Sequence, residues 1–325
     1  MNPLTHTAAP FAMPVRLPPL TERPSRILLE AIIDYAGLFP PASLDMARAV
    51  RNFAHYRAGG AGWMLGRFVC PASRLAEFSA AADPLLPRDA GAIPWLLSVT
   101  GSGDLHADLE AITAFNERHR VCFEECGARV DSYEAKVGSV AEIMALHDAL
   151  PRSFHAWLEV PIVTDPSELL EAIAKVGRFA KMRTGGTVAE AFPSKQHIVD
   201  FLRALLTYDV RAKATAGLHH PLCGTYRLTY EPEAATCRMF GFLNVLLAAA
   251  VIANGGTDTL AVQAIEEARV SSLEFSETHL VWHAGDGPIA IARHTLQQVR
   301  EHMIVSIGSC SFTEPVDESR ALGWI

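Results

Sequence analysis

No stretch of this chain stays apolar for long enough to cross a bilayer. The longest run, Phe242 to Ala253, is interrupted by Asn244; it is too short for a span and suits a buried helix. Positive charge is also scarce: 28 Lys and Arg stand against 36 Asp and Glu, a formal charge of -8. Acidic residues break up each small basic cluster, so there is no basic stripe for nucleic acid. Cysteine is sparse, with six residues at 70, 122, 126, 223, 237 and 310. They form no dense framework, and a chain of 325 residues needs no disulfide staples. Reduced thiols and a cytoplasmic residence are therefore expected. The first 24 residues hold six prolines and lack the basic start and apolar run of a secretory signal, so residues 1–24 read as a loose arm. Nucleotide motifs are missing too: there is no P-loop, and Gly101-x-Gly103 lacks the third glycine of a dinucleotide fingerprint. No cofactor is expected, and neither nucleic acid nor a membrane is expected as a partner.

What is present is ordinary in bulk, 50% hydrophobic and 20% charged residues, which fits a globular protein. Residues 25–325 are long enough for a single large domain with a full core. A short helix is expected over Ser25–Tyr35, stopped by Gly37 to Pro41, and Ser43 is positioned to cap a helix through Ala58. Strand-like runs then recur at Trp63–Cys70, Trp95–Thr100, Arg129–Lys136, Phe154–Val160, Arg178–Arg183, Val210–Thr215 and Met303–Ile307. Helical stretches separate most of them, opened by Asp104, Ser139, Asp165 and Ser194. This alternation calls for parallel strands with right-handed crossovers, and roughly 250 residues of it point to a (β/α)8 barrel. The remaining strand is expected between Pro221 and Met303, at Thr259–Val262 or Thr278–Trp282. That span exceeds one β/α unit, so an insertion near the barrel mouth is expected there.

Two segments repeat one plan: Lys181-Met182-Arg183-Thr184-Gly185-Gly186 and Lys213-Ala214-Thr215-Ala216-Gly217-Leu218-His219-His220. Lysine is rarely buried unless paired or used, and active groups of parallel barrels sit at the C-terminal strand ends. Those ends here carry Glu134, Lys136, Glu159, Lys181, Arg183, Lys213 and Thr215. Period two puts Lys181 with Arg183, and Lys213 with Thr215, on shared faces. Either cation could instead form a structural ion pair with Glu134 or Glu159. Thr184-Gly185-Gly186 and Gly308-Ser309-Cys310-Ser311 can each offer N–H groups and hydroxyls to an oxyanion, with Arg183 as a bidentate clamp; both can equally be plain turns. His219 is available for acid–base work or metal ligation and His220 for substrate binding, while Glu314 can accept from a substrate hydroxyl. A metal centre drawn from His219, Glu134, Glu159 and Cys223 or Cys310 has chemically suitable donors but no compact motif. Cys310 reads as a small buried hydrophobe more than a nucleophile, and Cys122-x-x-x-Cys126 as packing. Asp34 to Pro41 is oddly apolar for a linker, and reads as core closure or a pocket lining.

Lys-x-x-Thr-Gly at one strand end and Lys-x-x-x-Gly at the next resemble the strand-six and strand-seven lysines of deoxyribose-phosphate aldolase and the wider class I aldolase barrels. The resemblance implies an imine on Lys181, perturbed by Lys213, with Glu159 or Glu134 moving protons. Arg183 stands where that family has a small residue, His219-His220-Pro221 follows the second glycine, and Lys181 falls on the fifth strand of the count above. The expectation is thus a carbon–carbon lyase acting on a small anionic metabolite. A metal- or lysine-assisted isomerase, epimerase or hydratase and a non-catalytic metabolite-binding barrel stand as alternatives. A mean hydropathy of +0.16 accords with a homo-oligomer.

Overall fold

The computed structural model describes residues 19, 21–89, 92–120 and 127–325. Most of the expected arm and the Cys122 and Cys126 pair lie outside them. A first strand, β1 (Ile33–Tyr35), follows a short helix, Pro24–Leu29. Then come β2 (Leu65–Pro71), β3 (Trp95–Thr100), β4 (Ala128–Lys136), β5 (His155–Glu159), β6 (Phe179–Arg183) and β7 (Ala212–Thr215). An insertion supplies an antiparallel hairpin, β8 (Gly224–Arg227) with β9 (Thr236–Met239). It continues into a small antiparallel sheet of β10 (Leu273–Phe275), β11 (His279–Ala284) and β12 (Gly287–Ala292). The last strand, β13 (Ile304–Ser309), pairs with both β7 and β1, so eight strands close into a parallel barrel. With helices between the strands, this is a (β/α)8 barrel.

The missing strand is therefore at the N-terminal end and not between Pro221 and Met303. Thr259–Val262 lies inside helix Asp258–Glu266, and Thr278–Trp282 falls largely in β11, outside the barrel. With β1 counted, Lys181 lies on the sixth strand and Lys213 on the seventh. The expected insertion between β7 and β13 is present. Helix boundaries follow local chemistry closely. Asp104, Ser139 and Ser194 each accept from a first-turn amide as N-caps. Asp45, not Ser43, caps Met46–Ala58, and Ser43 itself has a positive φ of 44°. Helix Phe242–Ala253 is almost wholly buried. Its one polar residue, Asn244, accepts from Cys223 N and Gly241 N and donates to Ala264 O and Glu267 O. Full pairing removes the penalty of burying that amide.

The barrel interior is layered. Trp157, Phe179 and Val305, with Ala31 beside them, form a small apolar cluster separate from the main core. The main core lies between strands and helices and takes in Met182 and Ala214. Near Trp157 the interior turns polar. Ser132 Oγ accepts from the Trp157 indole at 2.7 Å and meets Ser98 Oγ at 2.9 Å. Arg67 grips Asp131 with two hydrogen bonds of 2.8 and 2.7 Å. Asp131 stands where the β3–β4 register slips, between Val130 and Ser132, as a bulge that re-aims a side chain would.

Candidate active site

Five barrel strands place an alternating row of charges, Asp34, Lys213, Glu134, Lys181 and Glu159, near the indole. The Lys213 ammonium, 1% exposed, lies 5.8 Å from the Trp157 ring centre. It donates to Asp34 Oδ2 at 2.6 Å and Glu134 Oε1 at 2.7 Å. The other Glu134 oxygen lies 3.0 Å from the Lys181 ammonium, which also meets Glu159 Oε2 at 2.8 Å. Strand register brings this about: Glu159 stands opposite Lys181, and Lys181 opposite Lys213. Ser98 Oγ donates to Glu134 Oε1 at 2.6 Å, and Ser306 Oγ to Asp34 Oδ2 at 3.0 Å. Burial alone would raise the Glu134 pKa, but Lys213 and then Lys181 hold the carboxyl far below its usual range. Burial disfavours charge on Lys181, yet Glu134 and Glu159 outweigh it and raise its pKa above that of an ordinary lysine.

This geometry overturns the imine reading. An attacking amine must be neutral, and two converging lysines were expected to lower one another's pKa. Instead a carboxylate separates them, each ammonium sits between two carboxylates, and Lys181 is held charged. The aldolase expectation does not hold.

A cavity of about 840 Å³ opens on this row, lined by Glu134, Glu159, Lys181, Lys213, Arg183, Thr215, Gly186, His219, Gly308 and Cys310. Ala36, Phe39, Pro40 and Pro41 line it too, so the apolar segment after Asp34 is a pocket wall. His219 Nδ1 is 3.1 Å from Ser309 Oγ, and Cys310 Sγ lies 3.7 Å from the same nitrogen. Burial, and then the charge of His220, push the His219 pKa down to about 4, so the imidazole is neutral near pH 7. Burial pushes the Cys310 thiol up to about 11, which leaves it protonated. Glu314 accepts from Tyr230 OH at 2.9 Å and stands 3.9 Å from His219.

Other expected site residues lie elsewhere. His220 turns away from this cavity, bonding Glu318 at 2.7 Å and stacking on Tyr226. The Thr184 hydroxyl donates to the carbonyls of Thr215 and Ala216, tying the two lysine loops together. Gly185 and Gly217 (φ +74°) are needed because the Phe192 ring lies against both; an added Cβ would stand 2.6 and 2.8 Å from it. Ser311 Oγ accepts from Glu314 N, at the start of helix Thr313–Ala321. The donors considered for a metal are not gathered: among the described residues no three His, Cys, Asp or Glu side chains are so arranged. Sequence reasoning missed Asp34 as a partner of Lys213. Its signal was a lone carboxylate inside the apolar run Ile32-Ile33-Asp34-Tyr35.

No known protein family matches the sequence, and no curated protein does. Among solved structures, the Bacillus cereus spore cortex-lytic enzyme SleL is similar at 10% identity and a TM-score of 0.39, over 91% of this chain and 74% of that one. No aldolase appears among these matches. No helix among the described residues is long and apolar enough to cross a membrane.

Proposed function

We propose that this protein is an enzyme that moves protons on a small anionic metabolite held at the barrel mouth. The observation that carries the reading is the Lys181 ammonium, which meets Glu134 at 3.0 Å and Glu159 at 2.8 Å while lining the cavity. An ammonium has three donors. Two are engaged by the carboxylates, and the third is available to a substrate oxygen on which negative charge develops. His219 is neutral and lines the same cavity, so it can take a proton from the substrate or from an attacking water. Lys213, held by Asp34 and Glu134, acts as a positioning residue for Glu134. Arg183 and Lys136, which line the cavity, bind the substrate's acid group.

A second reading is carboxylate-pair hydrolysis, because Glu134 and Glu159 both contact one ammonium, at 3.0 and 2.8 Å, and retaining glycoside hydrolases use two carboxyl groups close together. That chemistry also needs one protonated carboxyl, and Glu134 is held charged by its two lysines. The deciding experiment screens small carboxylate and phosphate metabolites in deuterated and in ¹⁸O-labelled water. Turnover should incorporate solvent label. Lys181→Met and His219→Gln should each lower kcat about 100-fold or more, and Arg183→Gln should mainly raise KM. Undiminished turnover in Lys181→Met would sink the reading. Glycan cleavage that needs both Glu134 and Glu159 but tolerates His219→Gln would replace it with carboxylate-pair hydrolysis.

A further inference from the structure

A second groove of about 550 Å³ adjoins the cavity and shares Lys136, Glu142, Glu159 and Arg183 with it. Its far wall is apolar and includes Val160, Ile162, Val163 and Phe192. Val163 is 63% exposed, although it stands next to buried Ile162 in the loop between β5 and helix Ser167–Val176. The cations on the shared wall are uncommitted: among the described residues no ion pair or hydrogen bond engages the Lys136 ammonium or the Arg183 guanidinium. Glu142 also faces the groove but accepts from Gly138 N at 2.6 Å, and Glu190 lies at its rim. Arg183 is two residues beyond Lys181 on β6, a separation of about 6.6 Å along the strand. Arg183 lines both cavity and groove while Lys181 lines the cavity alone, so an acid group at Arg183 would stand on the groove side of the reacting oxygen at Lys181.

We propose that this groove is a second subsite. It takes the apolar chain of a substrate whose carboxylate sits between Lys136 and Arg183. The inference rests on the reading of the mouth as an anion site and adds the substrate class: a carboxylic acid with an extended apolar part, not a compact polyol or a free phosphate. Cations fix the head, and the apolar wall covers the chain, with continuity across Glu159 joining subsite to reaction centre.

The test is calorimetric titration of the full chain with straight-chain carboxylates from acetate to octanoate. Affinity should rise about fourfold per methylene once the chain reaches the groove. Val163→Asp, at an exposed position that does not threaten folding, should flatten that rise, because it places a charge in the chain's path. Arg183→Gln should weaken every longer member about tenfold and leave the increment per methylene intact. An affinity independent of chain length, or an equal increment in Val163→Asp, would overturn the subsite. Either result, combined with turnover that still depends on Lys181, leaves the acid–base reading standing. Loss of that dependence removes the reading instead.

Discussion

Lys213 sits in the barrel interior only because two carboxylates meet it. One of them, Asp34, is 179 residues away in sequence. Lys213→Met would leave Asp34 and Glu134 facing each other without their shared cation, at a cost of about 3–5 kcal/mol. Urea unfolding at pH 7 should show this loss, and adding Asp34→Asn should recover part of it. His219 makes a separate prediction in acid. Its pKa falls from 6.5 in the unfolded chain to about 4 in the fold, so the unfolded state takes up the proton first. Its effect on stability is absent above about pH 6.5, grows as pH falls towards 4, and is constant below. Denaturation midpoints at pH 7, 5.5 and 4 should therefore fall more steeply in the parent than in His219→Gln, by on the order of 2–3 kcal/mol across the window. At this scale the sequence showed which charges reach the mouth, since Glu134, Glu159, Lys181 and Lys213 all fall at strand ends. It did not show their pKa directions. Those depend on which carboxylate stands between which lysines, and no local pattern encodes a contact with Asp34.

Among the barrel strands, β1 is the one absent from the sequence reading, because three residues are too few for periodicity. Ile33–Tyr35 is a strand through its neighbours, β13 and β2, which both pair with it. What anchors its approach is Arg300, fully buried on helix Arg293–His302. Its guanidinium donates to the carbonyls of Ile27, Leu28 and Glu30 near the end of the first helix, and to Ile304 and Val305 on β13. Five donors in a rigid fork match that cluster, and a lysine cannot reproduce it. Arg300→Met should lower unfolding free energy by about 3 kcal/mol or more, since buried carbonyls lose their partners, and Arg300→Lys should rescue little. The Thr-Gly loops were legible as a repeated pattern but not in purpose. Phe192 comes from the segment after β6, and its ring against Gly185 and Gly217 gives those glycines a packing role that spacing alone could not reveal.

Across the whole molecule, the closed barrel and the loops at its mouth are separable parts. The barrel is closed by its own eight strands, and such scaffolds place their variable loops at the C-terminal mouth. The β8–β9 hairpin belongs to the second class. It reaches the mouth through Tyr230 on Glu314 and through Tyr226 stacked on His220, and it adds no strand to the barrel. Arg227 pairs with Thr236 in register, so replacing residues 228–235 by Asn-Gly would keep the hairpin geometry with a two-residue turn. This variant should unfold cooperatively, within a few degrees of the parent, because the barrel strands and main core stay intact. Its kcat/KM should nevertheless fall on the order of tenfold, since Glu314 loses the hydroxyl that orients it beside His219. Tyr230→Phe tests the same contact without shortening the chain and should reproduce most of the loss. Unchanged turnover in both variants would show that the barrel mouth works without the hairpin tip; a collapse of thermal stability in the shortened chain would show that the tip is part of the scaffold.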